Sequence, residues 1–177
     1  MHLILLLLFS CSPATKINSL PDQEIRWKSD KKLTYADFKG RVPSATTWAA
    51  TTNSMIYFAY QTLNGSVSEI NVYSSFIPSK SWIKRKLPEV LAHEQLHFDI
   101  TEAFARKFYA EAIKKSYGPG DGLNKLFREV NDECDQLQQL YDDETNHGIV
   151  AEEQEKWSLK VRKLLELYEP YPQNQHF

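Results

Sequence analysis

Residues 93–97 read His-Glu-Gln-Leu-His and lie in the stretch 88–117, where the spacing of apolar residues predicts a helix. Helical spacing of four residues places His93 and His97 about 40° apart on one face and roughly 6 Å from each other. Two imidazole nitrogens so placed can bind one Zn²⁺ at about 2.0–2.1 Å. Glu94 is rotated about 100° from His93, so it can act as general base on a water at the metal. The motif predicts a catalytic zinc site.

The alternative is an ordinary helix that carries two histidines by chance. On a helical wheel both histidines share a face with apolar residues, so both rings are expected to point into the domain. Buried imidazoles need polar partners, and one metal ion would provide a partner for both rings. The apolar residues of this face are Val90, Ile100, Phe104 and Phe108.

A hydrolytic zinc normally has three protein ligands and one water, so a third ligand is required. Glu102, the next glutamate on the predicted helix, points to the opposite side. We therefore expect the third ligand from another segment. His147 is the first candidate, because it lies in the helix-poor segment 142–148, where a side chain can turn inward without breaking a helix. Glu133 and Asp142 are the alternatives.

Two further side chains near this segment have competing interpretations. Tyr141 can donate a hydrogen bond to a tetrahedral intermediate, but it can equally be a packing residue at a helix end. Cys134 falls on the apolar stripe of a predicted helix, which favours an inert buried thiol over a nucleophile or ligand.

The rest of the domain is predicted to contain a small antiparallel sheet and two more helices. Asn64-Gly65 separates two apolar-aromatic runs within about 24–77, which is typical of a β-hairpin. Apolar and polar residues alternate over 69–76, so one face of that strand is expected to be buried. Two amphipathic patterns follow the first helix. The residues that recur at helical spacing are Leu123, Phe127, Val130, Cys134, Leu137 and Tyr141, then Val150, Gln154, Trp157, Val161, Leu164 and Tyr168.

The N-terminus predicts export. Residues 1–10 form a short apolar leader directly before Cys11, a pattern similar to a bacterial lipoprotein signal in which the cysteine becomes acylated. A conventional cleaved signal peptide is the alternative. Residues 11–23 are polar, contain two prolines and read as a tether. We expect an exported protein of the bacterial cell envelope, anchored to a membrane through lipid, or else soluble in the periplasm or secreted.

Composition limits the remaining possibilities. The chain has 177 residues, 42% of them hydrophobic, which suffices for one domain with a core. We place that domain at 24–170 and treat 171–177 as a tail. The 21 basic and 23 acidic residues are scattered along the chain, which disfavours nucleic-acid binding.

Four blocks of the sequence resemble one known family. They are Leu-Thr-Tyr-Ala-Asp-Phe-Lys-Gly at 33–40, Ala-Ala-Thr-Thr at 49–52, the histidine motif extended to 93–100, and Tyr-Asp-Asp-Glu-Thr-Asn-His-Gly at 141–148. Together they resemble a bacterial family of uncharacterised secreted proteins described as predicted zinc-dependent proteases. The resemblance implies a zincin-like α+β fold and metallopeptidase activity. Within the first block we interpret Asp37 as part of an Asx-type turn, Phe38 as a core anchor and Gly40 as a residue with positive φ.

The expected function is zinc-dependent hydrolysis of peptide bonds in a protein or peptide substrate. His93, His97 and His147 bind the metal in this interpretation, and Glu94 is the base. Two alternatives stay open: a catalytically silent zinc-binding module of the envelope, and a hydrolase of non-peptide amides such as cell-wall cross-links.

Overall fold

Five strands precede three helices in residues 24–114, 120–168 and 170, the part of the chain that the computed structural model describes. The strands are β1 (Ile25–Arg26), β2 (Ala50–Thr51), β3 (Ser54–Leu63), β4 (Ser66–Phe76) and β5 (Trp82–Ile83). The helices are α1 (Pro88–Lys114), α2 (Asp121–Thr145) and α3 (Ala151–Leu167). The predicted α+β class and the order of elements are confirmed. The leader, Cys11, the tether, the tail and the predicted end of the first helix at 117 lie outside the described residues.

The main sheet is the predicted antiparallel hairpin with one short strand added. β3 and β4 pair along their length, and β1 pairs with the end of β4, giving the order β1-β4-β3. Asn64 and Gly65 form the turn with φ of 53° and 78°, the left-handed conformation that a two-residue hairpin loop requires. A second sheet of two strands, β2 and β5, lies before α1.

Helix α1 is the central element, with the main sheet on one side and α2 and α3 on the other. Its apolar face is buried as predicted, with Ile100, Phe104 and Phe108 in the main core. The opposite face is buried as well, because β4 covers it. There Glu102 accepts hydrogen bonds from Ser74 (2.7 Å) and Arg106 (2.9 Å). A buried carboxylate with these partners is a structural group of the helix–sheet interface.

The end of α2 differs from the sequence prediction. The segment 142–148 was predicted to be non-helical, but α2 continues to Thr145, and that boundary prediction is wrong by one turn. The physical reason is the cap: Asn146 adopts the left-handed conformation, and its N–H and that of His147 bond to carbonyls of the last helical turn. Asp142 therefore projects from a helix instead of a loop.

The first resemblance block differs from its prediction at two residues. Asp37 Oδ2 accepts hydrogen bonds from the backbone N–H and hydroxyl of Thr34, three residues earlier, which forms a capping box on the 3₁₀ turn Tyr35–Asp37 and not the predicted Asx-type turn. The Phe38 ring packs edge-on against Phe76 at 5.1 Å, as predicted. The prediction of positive φ at Gly40 is wrong, since it is not among the residues with positive φ in the described chain. A Cβ atom on Gly40 would lie 2.8 Å from the Ser81 carbonyl oxygen, so glycine is needed there for close backbone approach.

Candidate metal centre

Three side-chain atoms of α1 and α2 converge on one point. His93 Nε2 and His97 Nε2 are 3.1 Å apart, and Asp142 Oδ1 lies 3.0 Å from the first and 3.1 Å from the second. These residues form the only His/Cys/Asp/Glu group with metal-ligand geometry that the described part of the chain contains. His93 is buried, and His97 and Asp142 are half-buried. Tetrahedral zinc needs donor atoms roughly 3.3–3.4 Å apart, so small adjustments suffice to bind it.

The hydrogen bonds behind His97 determine which ring nitrogen carries the proton. Gln138 donates through Nε2 to the His97 carbonyl (2.9 Å) and to the Thr101 hydroxyl (3.2 Å). Its amide oxygen therefore faces His97 Nδ1, where it accepts the N–H. This leaves Nε2 unprotonated and directed towards Asp142, which is the arrangement that a metal-binding imidazole needs.

His93 has an equivalent support from α3. The amide oxygen of Gln154 lies 3.2 Å from His93 Nδ1 and also accepts a hydrogen bond from the Tyr141 hydroxyl (2.7 Å). The Tyr141 ring is buried and stacks on the His93 ring at 4.6 Å. This geometry supports the packing interpretation of Tyr141, because its hydroxyl is used to position a histidine.

The converging atoms make a cation favourable. With both Nδ1 atoms protonated, both Nε2 lone pairs and the Asp142 carboxylate face one another without a hydrogen donor between them. A proton can relieve this repulsion only in part. Burial lowers the pKa of His97, but the hydrogen bond and charge of Asp142, together with Glu94 and Gln138, outweigh burial and leave the pKa raised. A proton bridges two of the three atoms, whereas a divalent cation can contact all three.

The structure separates the three candidates for the third ligand. Asp142 is in the converging group, and His147 and Glu133 are not. His147 is half exposed and places Nδ1 3.3 Å from Asp142 Oδ1, next to the centre. Glu133 forms an ion pair with Lys107 and does not line the cleft described below. His147 as a metal ligand stays a prediction, and the geometry favours Asp142.

A tight turn after α2 positions this side of the centre. Asn146, His147 and Gly148 all have positive φ, at 48°, 53° and 80°. Thr145 stabilises the turn, since its hydroxyl donates to the Tyr141 carbonyl (2.6 Å) and accepts from the Gly148 N–H (3.2 Å). Sequence reasoning did not assign roles to Thr145 and Gly148, although both belong to the fourth resemblance block.

Glu94 lies beside the centre as the motif predicts. Its side chain is buried, and no group of the described chain donates a hydrogen bond to Oε2. Burial raises the pKa of Glu94 above its ordinary value, an effect that the neighbouring histidines oppose only in part. A buried carboxylate with a raised pKa and an unpartnered oxygen is suited to accepting a proton.

The three converging residues and Glu94 line one cleft of about 650 Å³. Its floor is α1 with His93, Glu94 and His97, and one wall contains Asp142 and the turn that follows α2. The opposite wall is the segment 47–54, which includes β2 and is attached to α1 where the Thr52 hydroxyl donates to the Glu94 carbonyl (3.2 Å). The cleft connects the centre to solvent, so a substrate can reach it.

Comparison with known proteins adds one finding. Residues 77–148 match the model of a family described as "Bacterial protein of unknown function (DUF922)". The matched region runs from the end of β4 through α1 and α2 to Gly148, so it contains every residue of the converging group. No curated protein and no solved structure matches the chain. The match agrees with a bacterial, uncharacterised family, and it carries no information on activity.

Among the described helices, none combines the length and the apolarity that crossing a bilayer requires.

Gly148→Ala should disrupt the centre through His93. A Cβ atom at Gly148 would lie 2.9 Å from His93 Cγ, so the ring must shift. Gly65→Ala is the matched control, because Gly65 has a similar φ of 78° but no atom within 4 Å of the added Cβ. Both substitutions should lower stability by about 1–2 kcal/mol through backbone strain, measured by chemical denaturation. Only Gly148→Ala should lower zinc affinity in a competition titration, and equal affinities in the two variants would contradict this contact.

Gln138→Leu should weaken zinc binding without removing a ligand. The substitution deletes the oxygen that accepts the His97 Nδ1–H, and losing such an outer-shell partner typically costs about 10- to 100-fold in metal affinity. Gln139→Leu, at the exposed neighbouring position, is the control and should bind zinc like wild type. Competition with a chromophoric chelator measures both affinities. Wild-type affinity in Gln138→Leu would show that this hydrogen bond does not orient the ring.

Proposed function

We propose that the protein is a zinc-dependent hydrolase that cleaves peptide bonds in a protein or peptide substrate. The observation that carries this proposal is the convergence of His93, His97 and Asp142 in an open cleft beside the buried, unpartnered oxygen of Glu94. A purely structural zinc site normally has four protein ligands and is closed to solvent. Three converging protein atoms and access to solvent instead favour catalysis.

Under this proposal His93, His97 and Asp142 hold the metal, and Gln138 and Gln154 orient the two imidazoles. A bound Zn²⁺ would polarise the scissile carbonyl and lower the pKa of an attacking water. Glu94 Oε2 takes a proton from that water while the water oxygen forms a bond to the carbonyl carbon. Glu94 then delivers the proton to the leaving nitrogen as the C–N bond breaks, so that an acid and an amine are released.

Location is a separate part of the proposal. The leader before Cys11 supports an exported protein that is attached to a bacterial membrane through an acylated cysteine. Intact mass spectrometry of the mature chain from its native host measures this directly. An N-terminus beyond Cys11 would exclude the lipid anchor.

The test of function is turnover by zinc-loaded protein. Purified protein is expected to hold about one zinc per chain and to cleave casein or a mixed peptide pool, with activity lost after chelation and restored by added zinc. His93→Ala and His97→Ala should lose tight zinc binding. Zinc-loaded protein that cleaves peptidoglycan fragments but not casein would support the non-peptide amide alternative. A loaded protein inactive on both would support a silent zinc module.

A further inference from the structure

The mouth of the cleft has exposed apolar side chains. Trp48 is 57% exposed, Leu87 45% and Ile149 74%, and all three line the cleft. They come from three separate segments: the loop before β2, the residue before α1, and the turn after α2. Large exposed apolar side chains that cluster around one opening mark a binding surface more often than isolated ones do.

This apolar mouth is directly beside the metal centre. The Trp48 ring stacks on the His147 ring, with 5.7 Å between centroids and an angle of 28°. His147 Nδ1 in turn lies 3.3 Å from Asp142 Oδ1, one of the three converging atoms. The His147 ring therefore lies between Trp48 and Asp142, which places the Trp48 side of the mouth next to the centre.

The segment of the cleft wall that contains β2 can bind an extended backbone. β2 pairs with β5 along one edge, and no described strand pairs with its other edge. This free edge of β2, in the segment that lines the cleft, can bond to the N–H and C=O groups of an added strand.

We infer that the cleft binds an extended polypeptide along β2 and selects a bulky apolar side chain, which packs against Trp48, Leu87 and Ile149 beside the scissile bond. The position of this side chain beside a scissile bond rests on the proposed function, but the binding preference can be measured without turnover. The substrates are therefore unfolded or loop segments, because a helix or a paired strand has no free backbone groups to offer.

The experiment measures peptide affinity on the zinc-loaded Glu94→Gln variant by calorimetry, so that the peptide is not consumed. The probes are a blocked hexaalanine peptide and the same peptide with one central phenylalanine. Burial of the phenylalanine ring should tighten binding by about 10-fold or more. Adding Ile149→Ser or Trp48→Ala to this variant should remove most of the preference. Leu167→Ser, at an exposed leucine of α3 that does not line the cleft, should preserve it.

The outcomes separate this inference from the proposed function. Equal affinity of both peptides, or a preference that survives both cleft substitutions, overturns the inference whether or not the wild type hydrolyses casein. A preference that both substitutions remove, together with no hydrolysis by the wild type, supports the binding surface and removes the enzyme. Ile149 is highly exposed, so Ile149→Ser tests the surface even if Trp48→Ala fails to fold.

Discussion

Glu94→Gln is expected to lower hydrolysis by roughly 10²- to 10⁴-fold while zinc content stays at the wild-type level. Glutamine keeps the size of the side chain but cannot take up a proton. Glu94 is not one of the three residues whose atoms converge. Replacing its carboxylate should therefore leave the metal ligands intact. Initial rates on a quenched peptide and zinc content by atomic emission give the two quantities from one preparation.

Glu89→Gln is the matched control for this substitution. Glu89 is also a cleft carboxylate of α1, but it is exposed. Its replacement should leave the rate within a few fold of wild type, since Glu89 is outside the converging group and its exposed carboxylate has the ordinary environment of a solvated side chain. Full activity in Glu94→Gln would rule out the mechanism proposed above, and equal losses in both variants would indicate a general effect of cleft charge.

Asp142→Asn is expected to reduce zinc affinity by more than about 100-fold, beyond the usual cost of removing an outer-shell partner. The substitution preserves the shape of the side chain and removes the charge that faces both imidazoles. His147→Ala should keep tight zinc binding, because its ring lies outside the converging group. Asp143→Asn, an exposed neighbour in the same helical turn, is the control and should bind zinc normally.

The reverse pattern would be equally informative. Tight zinc binding in Asp142→Asn and loss in His147→Ala would return the third-ligand role to the residue that the sequence favoured. Loss in both variants would indicate four protein ligands, and a centre with four ligands fits the silent module better than the hydrolase.

The sequence was sufficient to predict the features that depend on the spacing of residues close together in the chain. The hairpin at Asn64-Gly65 and the three helices are confirmed, because turn chemistry and apolar periodicity act over a few residues. The placement of His93 and His97 on one buried face also follows from helical spacing alone. The proximity of Glu94 to both is a consequence of the same motif.

The third ligand comes from a segment distant in the chain, so the sequence could only reduce the candidates to three residues. Asp142 was an alternative, and His147 was preferred on the expectation that a loop begins at 142. That expectation failed because α2 ends only at Thr145, one turn later, where a left-handed cap at Asn146 terminates it. The sequence also could not predict the apolar mouth of the cleft, because Trp48, Leu87 and Ile149 come together only in the folded chain.

The position of the three converging atoms also links the fold to its surroundings. His97 and Asp142 are 45 positions apart in the chain, so a cation bound between them would act as a cross-link between the central helix and the end of α2. A metal that binds only the folded chain stabilises it by mass action, and each tenfold rise in free zinc above the dissociation constant adds about 1.4 kcal/mol. If the chain binds zinc as proposed, its melting temperature would rise with the concentration of free zinc around it, and zinc depletion would leave a less stable protein.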